Sequence, residues 1–205
     1  MTKRFGFTLA ELLIVLGIIG VIAALTMPTL LSNTQGAQYK AAYKKALSVL
    51  SQAVVLNVAL DDFNFADTTS TGTATTDQSI YTLFKNRMNV VKTASGALGY
   101  TINANGSTFT EGTSNYTLFF NDGIVLSFPQ SSQACSKDSN NTVNVCKGFI
   151  DVNGQKSPNK VVKCDGTTSG DTCEVTNPTD VYPIIFYDQT ILPNSDAARA
   201  VLYAK

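Results

Sequence analysis

The chain has 205 residues, no net charge at neutral pH and no histidine. The missing imidazoles remove His-based triads, HExxH zinc sites and the commonest catalytic base. Lys40, Lys44 and Lys45 form the one basic cluster, too small for the phosphate-neutralising patch that nucleic-acid binding needs. Neither a His-dependent enzyme nor a nucleic-acid binder is expected, and no spacing of Asp and Ser residues supports an exported enzyme of another kind.

Residues 1–6 are short and basic, with Lys3 and Arg4. From Phe7 to Met27 the chain is apolar apart from two threonines and Glu11. As a helix this run is about 31 Å long, enough for the hydrocarbon core of a bilayer. Lys3 and Arg4 hold the amino end in the cytoplasm by the positive-inside rule, so everything after Pro28 is expected on the far side. Pro28 lacks an N–H and crowds the preceding turn, which predicts a kink or local melting near residues 24–28.

Three readings fit an apolar amino-terminal run. A secretory signal peptide would be removed, with Ala23 and Ala24 as small residues for a cleavage site. A plain signal anchor would stay. Glu11 counts against both, because a carboxylate inside an apolar span is costly and marks function, with a partner to be named.

The string Gly6-Phe7-Thr8-Leu9-Ala10-Glu11-Leu12-Leu13-Ile14 supplies the third reading. It resembles the processing site of type IV prepilins and type II secretion pseudopilins, and Pro28 falls where that family also tends to carry a proline. The resemblance covers the first 31 residues. It implies cleavage between Gly6 and Phe7 by a prepilin peptidase, methylation of the new amine on Phe7, and retention of the apolar helix. It further implies that Glu11 of one subunit pairs with the Phe7 amine of a neighbour, fixing axial register. The implied partners are homologous subunits, the peptidase, an inner-membrane assembly platform and the membrane itself. The implied place is the bacterial inner membrane, single-pass with a cytoplasmic amino terminus, the head being periplasmic or extracellular once a filament forms. The alternative is a membrane-anchored exported binding or adhesive protein that uses the helix only as a tether.

Past a short polar break at Ser32–Gly36, Tyr39, Tyr43, Ala46, Leu47, Leu50, Ala53, Val54 and Val58 recur at helical steps. They predict an amphipathic helix from about Ala37 to Leu60. The expected organisation is therefore leader 1–6, membrane and assembly helix 7–31, amphipathic continuation 32–62, and a β-rich head 63–205. In the head, 67–77 is a polar loop and Ile80–Met88 a short helix. Leu98–Ile102 is a weak strand. Tyr116–Phe120 and Ile124–Phe128 form a hairpin around Asn121-Asp122-Gly123. Gly148–Val152 meets a second hairpin-type turn at Asn153-Gly154. Tyr182–Tyr187 is the last strand, with Pro183 placing it at an edge or a strand start. The sum is an α+β fold, a long helix packed on an antiparallel sheet in the manner of the pilin head.

Cys135, Cys146, Cys164 and Cys173 match no paired zinc or redox spacing. In an exported domain they read as disulfides. Three connectivities are open; the two local loops, 135–146 and 164–173, are preferred over the others and over free buried thiols. No cofactor is required. Asp151, Asn153 and Asp180 are calcium candidates, because oxygen ligands suit that ion and some pseudopilins hold calcium in a carboxy-terminal loop. D-V-N-G is not the standard calcium-loop pattern, and an Asx-rich turn closing a hairpin is the preferred reading.

Overall fold

The computed structural model describes residues 6, 8–69, 78–96, 115–137, 143–166 and 172–203. Helix α1 runs unbroken from Leu9 to Asp61, about 80 Å at the α-helical rise. Its first half stands clear of the head. In its second half Tyr43, Ala46, Leu47, Leu50, Ala53 and Val54 are buried, the expected amphipathic stripe. Asn57 is buried with them, its amide donating to the carbonyls of Ala53 and Leu83 at 2.9 and 2.6 Å. The helix ends at Asp62, whose backbone is left-handed and whose N–H still reaches the Val58 carbonyl.

Two local expectations for α1 are corrected: the polar stretch Ser32–Gly36 does not interrupt it, and of the kink or melting expected at Pro28 the melting does not occur. Gly36 is buried because the loop of Asn177 and Pro178 docks against it: a Cβ there would sit 3.2 Å from the Pro178 ring. That tertiary contact overrides weak local propensity. On either side of Pro28 the hydroxyls of Thr26 and Thr34 donate back to the carbonyls of Ile22 and Leu30 at 3.0 and 2.8 Å.

A short helix α2 (Ile80–Lys85) leads into the sheet strands β1 (Val90–Gly96), β2 (Asn115–Phe120) and β3 (Val125–Pro129). A small hairpin of β4 (Ser136–Lys137) and β5 (Val143–Asn144) precedes β6 (Cys146–Asp151), β7 (Val181–Tyr187), β8 (Thr190–Pro193) and a closing helix α3 (Asp196–Tyr203). The six-stranded sheet has the order β1-β2-β3-β6-β7-β8, and every neighbouring pair is antiparallel. One face carries Leu118, Phe120, Leu126, Phe128, Ile150, Tyr182, Ile184 and Phe186 into a single core with the second half of α1, α2 and α3. This is an α+β arrangement consistent with a pilin-like fold.

The β2–β3 hairpin turns where expected: Gly123 takes φ +86, and Lys45 of α1 pairs with Asp122 at the turn at 3.1 Å. The weak strand at Leu98–Ile102 and most of the 67–77 loop lie outside the described residues. Three other readings change. Asn153-Gly154 is a turn but closes no hairpin; Asp151 of β6 faces Val181 of β7, and the chain between them makes a long excursion. Tyr182–Tyr187 is neither last nor at an edge, since β8 pairs with it and α3 follows, and of the two placements expected for Pro183 the strand start is the one found. Pro183 lies near the start of β7, just beyond its last ladder pair with β8, Ile184 with Pro193, where its carbonyl accepts from the Asn194 N–H at 2.9 Å and its missing N–H interrupts no ladder pair.

Candidate functional site: the amino-terminal segment

Thr8 caps α1 with an extended backbone, φ −75 and ψ 151. Its hydroxyl accepts from the Glu11 N–H at 3.3 Å, while Glu11 Oε2 accepts from the Thr8 N–H at 2.8 Å and the Thr8 hydroxyl at 2.9 Å. This is a reciprocal capping box, which satisfies donors the first turn leaves open. Gly6 is exposed and precedes the cap; Phe7 lies outside the described residues. The helix thus begins three residues past Gly6, with the Glu11 carboxylate in its first turn. The sequence reading identified Glu11 but missed Thr8 as the residue that orients it; the T-x-x-E spacing was the available signal.

Beyond the cap, Leu9–Pro28 is a 20-residue stretch long and apolar enough to cross a membrane, and none of it is buried against the rest of the chain. Leu9, Leu13, Leu16, Ile19, Leu25 and Leu30 are all more than half exposed. A fold that gathers its buried apolar side chains into one core while leaving this helix bare needs another apolar surrounding for it.

The remaining predicted residues lie far from this segment. Cys135 is bonded to Cys146 and Cys164 to Cys173, so the first bond ties the β4–β5 hairpin to β6 and the second staples the β6–β7 excursion. Asp151 and Asp180 are fully buried. Both Asp180 oxygens accept backbone N–H groups, of Lys160 and Asn159, each at 2.8 Å. Asp151 accepts from the Asn153 N–H at 3.2 Å, and the Asn153 amide reaches the Tyr39 hydroxyl and the Ser157 carbonyl, both at 3.4 Å. Asp151 thus makes an Asx-type turn, Asp180 clasps the Asn159–Lys160 backbone, and Asn153 ties the excursion to Tyr39 of α1. Among the described residues no group of three or more Asp, Glu, Cys or His side chains is placed to hold a metal ion.

The segment thus has the length, apolarity and exposure of a membrane anchor. More specifically, residues 1–27 match the family model for the prokaryotic N-terminal methylation motif, the prepilin-type cleavage and methylation segment of type IV pilins and pseudopilins. The chain therefore carries a pilin-like precursor segment, and the matched motif belongs to structural proteins, not to an enzyme family. No curated protein matches the chain, and no solved structure does.

Proposed function

We propose that the chain is a structural subunit of a type IV pilus or a type II secretion pseudopilus, cut after Gly6 and assembled through α1. One observation carries this reading: a helix capped at Thr8, with Glu11 in its first turn, opens an apolar span that the head leaves uncovered. Cleavage ahead of the helix keeps the span on the mature protein and creates an ammonium on Phe7. The precursor sits in the inner membrane with residues 1–6 in the cytoplasm and the 63–205 head outside. The prepilin peptidase cuts and methylates it, and an assembly platform moves the helix from lipid into a bundle of like helices.

In that bundle Glu11 of one subunit meets the Phe7 amine of another. Thr8 holds Oε2 of Glu11, which leaves Oε1 for the neighbour's amine. Breaking a buried charge pair by removing one partner costs about 3–5 kcal/mol, so the pairing fixes register as well as contact. Pro28, which deprives the Ala24 carbonyl of its helical donor, lets the span adjust as it packs.

Glu11→Gln is expected to be cut normally, read by intact mass, and to yield few filaments in sheared surface preparations. Filaments at the unaltered level would overturn the pairing. Retention of residues 1–6 in the mature chain would instead favour a tethered binding protein.

A further inference from the structure

Two neighbouring cavities open where α1 passes from the bare span into the head. One, of about 290 Å³, lies between Gly36 and Lys40 of α1, Val201 of α3 and the Val175–Pro178 stretch of the β6–β7 excursion. The other, of about 430 Å³, shares Val175 and Thr176 with it and is also lined by Glu174 and Tyr203. The shared wall is fixed in place. Asp165 accepts the N–H and the hydroxyl of Thr176 at 2.7 and 2.6 Å, its own N–H donates to the Glu174 carbonyl at 2.8 Å, and the Cys164–Cys173 bond closes the loop behind it. Among the described residues, half-buried Lys40 is the charged group lining the first cavity and exposed Glu174 the charged group lining the second. Gly36 stands five residues, about 7.5 Å, beyond Leu31, where the apolar run ends. The headgroup layer of a bilayer extends about 5–8 Å past its hydrocarbon core, so the floor of the groove lies at headgroup level. Helical side chains lean toward the amino end, here toward the bilayer, so the Lys40 ammonium, one turn further on, reaches back to that level. Tyr203 is 71 % exposed, and exposed tyrosines are favoured at that boundary.

We propose that this groove seats the headgroup of an aminophospholipid from the leaflet beneath the head, its phosphate on Lys40 and its ammonium against Glu174 and the Tyr203 ring. The inference rests on the membrane-anchored precursor proposed above and adds a ligand to it. A lysine ammonium is a ready partner for a phosphate, and a carboxylate with an aromatic face suits a primary ammonium. A choline headgroup has no N–H to donate to Glu174, and a glycerol headgroup carries no cation, so the pair of opposite charges selects the amine. The lipid holds the head against the bilayer before assembly and is given up when α1 leaves it.

The test uses the full chain in detergent micelles. It is titrated with phosphatidylethanolamine, phosphatidylcholine and phosphatidylglycerol of matched acyl chains and, separately, with water-soluble glycerophosphoethanolamine, and retained ligand is read by native mass spectrometry. One phosphatidylethanolamine per chain is expected, retained about fivefold or more over the other two lipids. Lys40→Gln and Glu174→Gln should each keep both disulfides and cut that preference about threefold, as expected for partly exposed charge contacts. Equal retention of the three lipids, or an unaltered preference in both variants, would overturn the proposal. Retention of the water-soluble headgroup as strong as that of the lipid would overturn the assignment to a membrane lipid. All of these outcomes leave the anchor reading intact. Extraction of the unaltered chain from liposomes by alkaline carbonate would overturn that reading itself, and the proposal with it.

Discussion

Gly148 sits where β6 passes closest to β3: a Cβ added there would lie 2.6 Å from the Ser127 carbonyl oxygen and against the Phe186 ring. Backbone cannot move aside cheaply inside a paired sheet, so Gly148→Ala should lower stability by about 1–3 kcal/mol, measured as a shift in urea midpoint of the full chain in detergent. Gly36→Ala is the contrasting case. Its Cβ would meet the Pro178 ring at 3.2 Å, but alanine favours the helix by close to 1 kcal/mol, and the two effects should nearly cancel. Neither constraint is visible in the sequence, where Gly148 begins an ordinary β-rich run and Gly36 closes a polar one. Glu11 was legible because an acid in an apolar span has few innocent explanations. Asn57 was not, because only the position of the Leu83 carbonyl turns an apparent flaw in an apolar stripe into a satisfied bond.

The β6–β7 excursion and the β4–β5 hairpin are thin elements held by covalent bonds. Each closes a loop of about ten residues, so replacing Cys135 and Cys146 together by serine should cost on the order of 2–3 kcal/mol. Equilibrium unfolding of the oxidised parent against the double variant measures it. The hairpin β2–β3 was readable because two apolar runs flank Asn-Asp-Gly, a turn chemistry with a mechanism. β1 was missed because Val90–Gly96 mixes exposed Val91 and Lys92 with a register shift between residues 90 and 92, which blurs alternation. α3 carried a usable signal that went unread: Ser195 caps it through its hydroxyl, which accepts from the Ala198 N–H at 3.0 Å, ahead of a run of strong helix formers. The expected break at Ser32–Gly36 failed for the opposite reason, since local propensity was read correctly and the docked Asn177-Pro178 loop outweighs it.

On the scale of the whole molecule, the helix and sheet meet at a pair of stacked phenols. Tyr43 and Tyr182 lie with ring centroids 3.8 Å apart and planes 7° from parallel. Burial pushes both well above the usual tyrosine range, with neighbouring tyrosines, and Asp180 beside Tyr182, adding to it. The folded state thus keeps protons that an unfolded chain releases above about pH 10. Stability conferred by the neutral phenols is full below that pH and falls as pH rises, by up to about 1.4 kcal/mol per unit for each group. Urea midpoints at pH 9 and pH 11 should show the fall, and the double variant Y43F/Y182F should flatten it. Neither hydroxyl has a hydrogen-bond partner, so that variant should be no less stable than the parent at pH 7. The α+β class and helix-on-sheet packing were legible from period and turn residues, whereas this stack depends on how α1 is rotated over β7, which no local pattern encodes.

The unbroken α1 also has a mechanical meaning. A rod about 80 Å long with its distal half locked into the core transmits torque and tension from head to span with little slack. Its compliance is concentrated at Ala24–Pro28, where the proline removes one rung from the ladder of helical bonds. Under a pulling load the chain is expected to lengthen there first, behaving as a stiff lever with a single soft joint near the membrane surface.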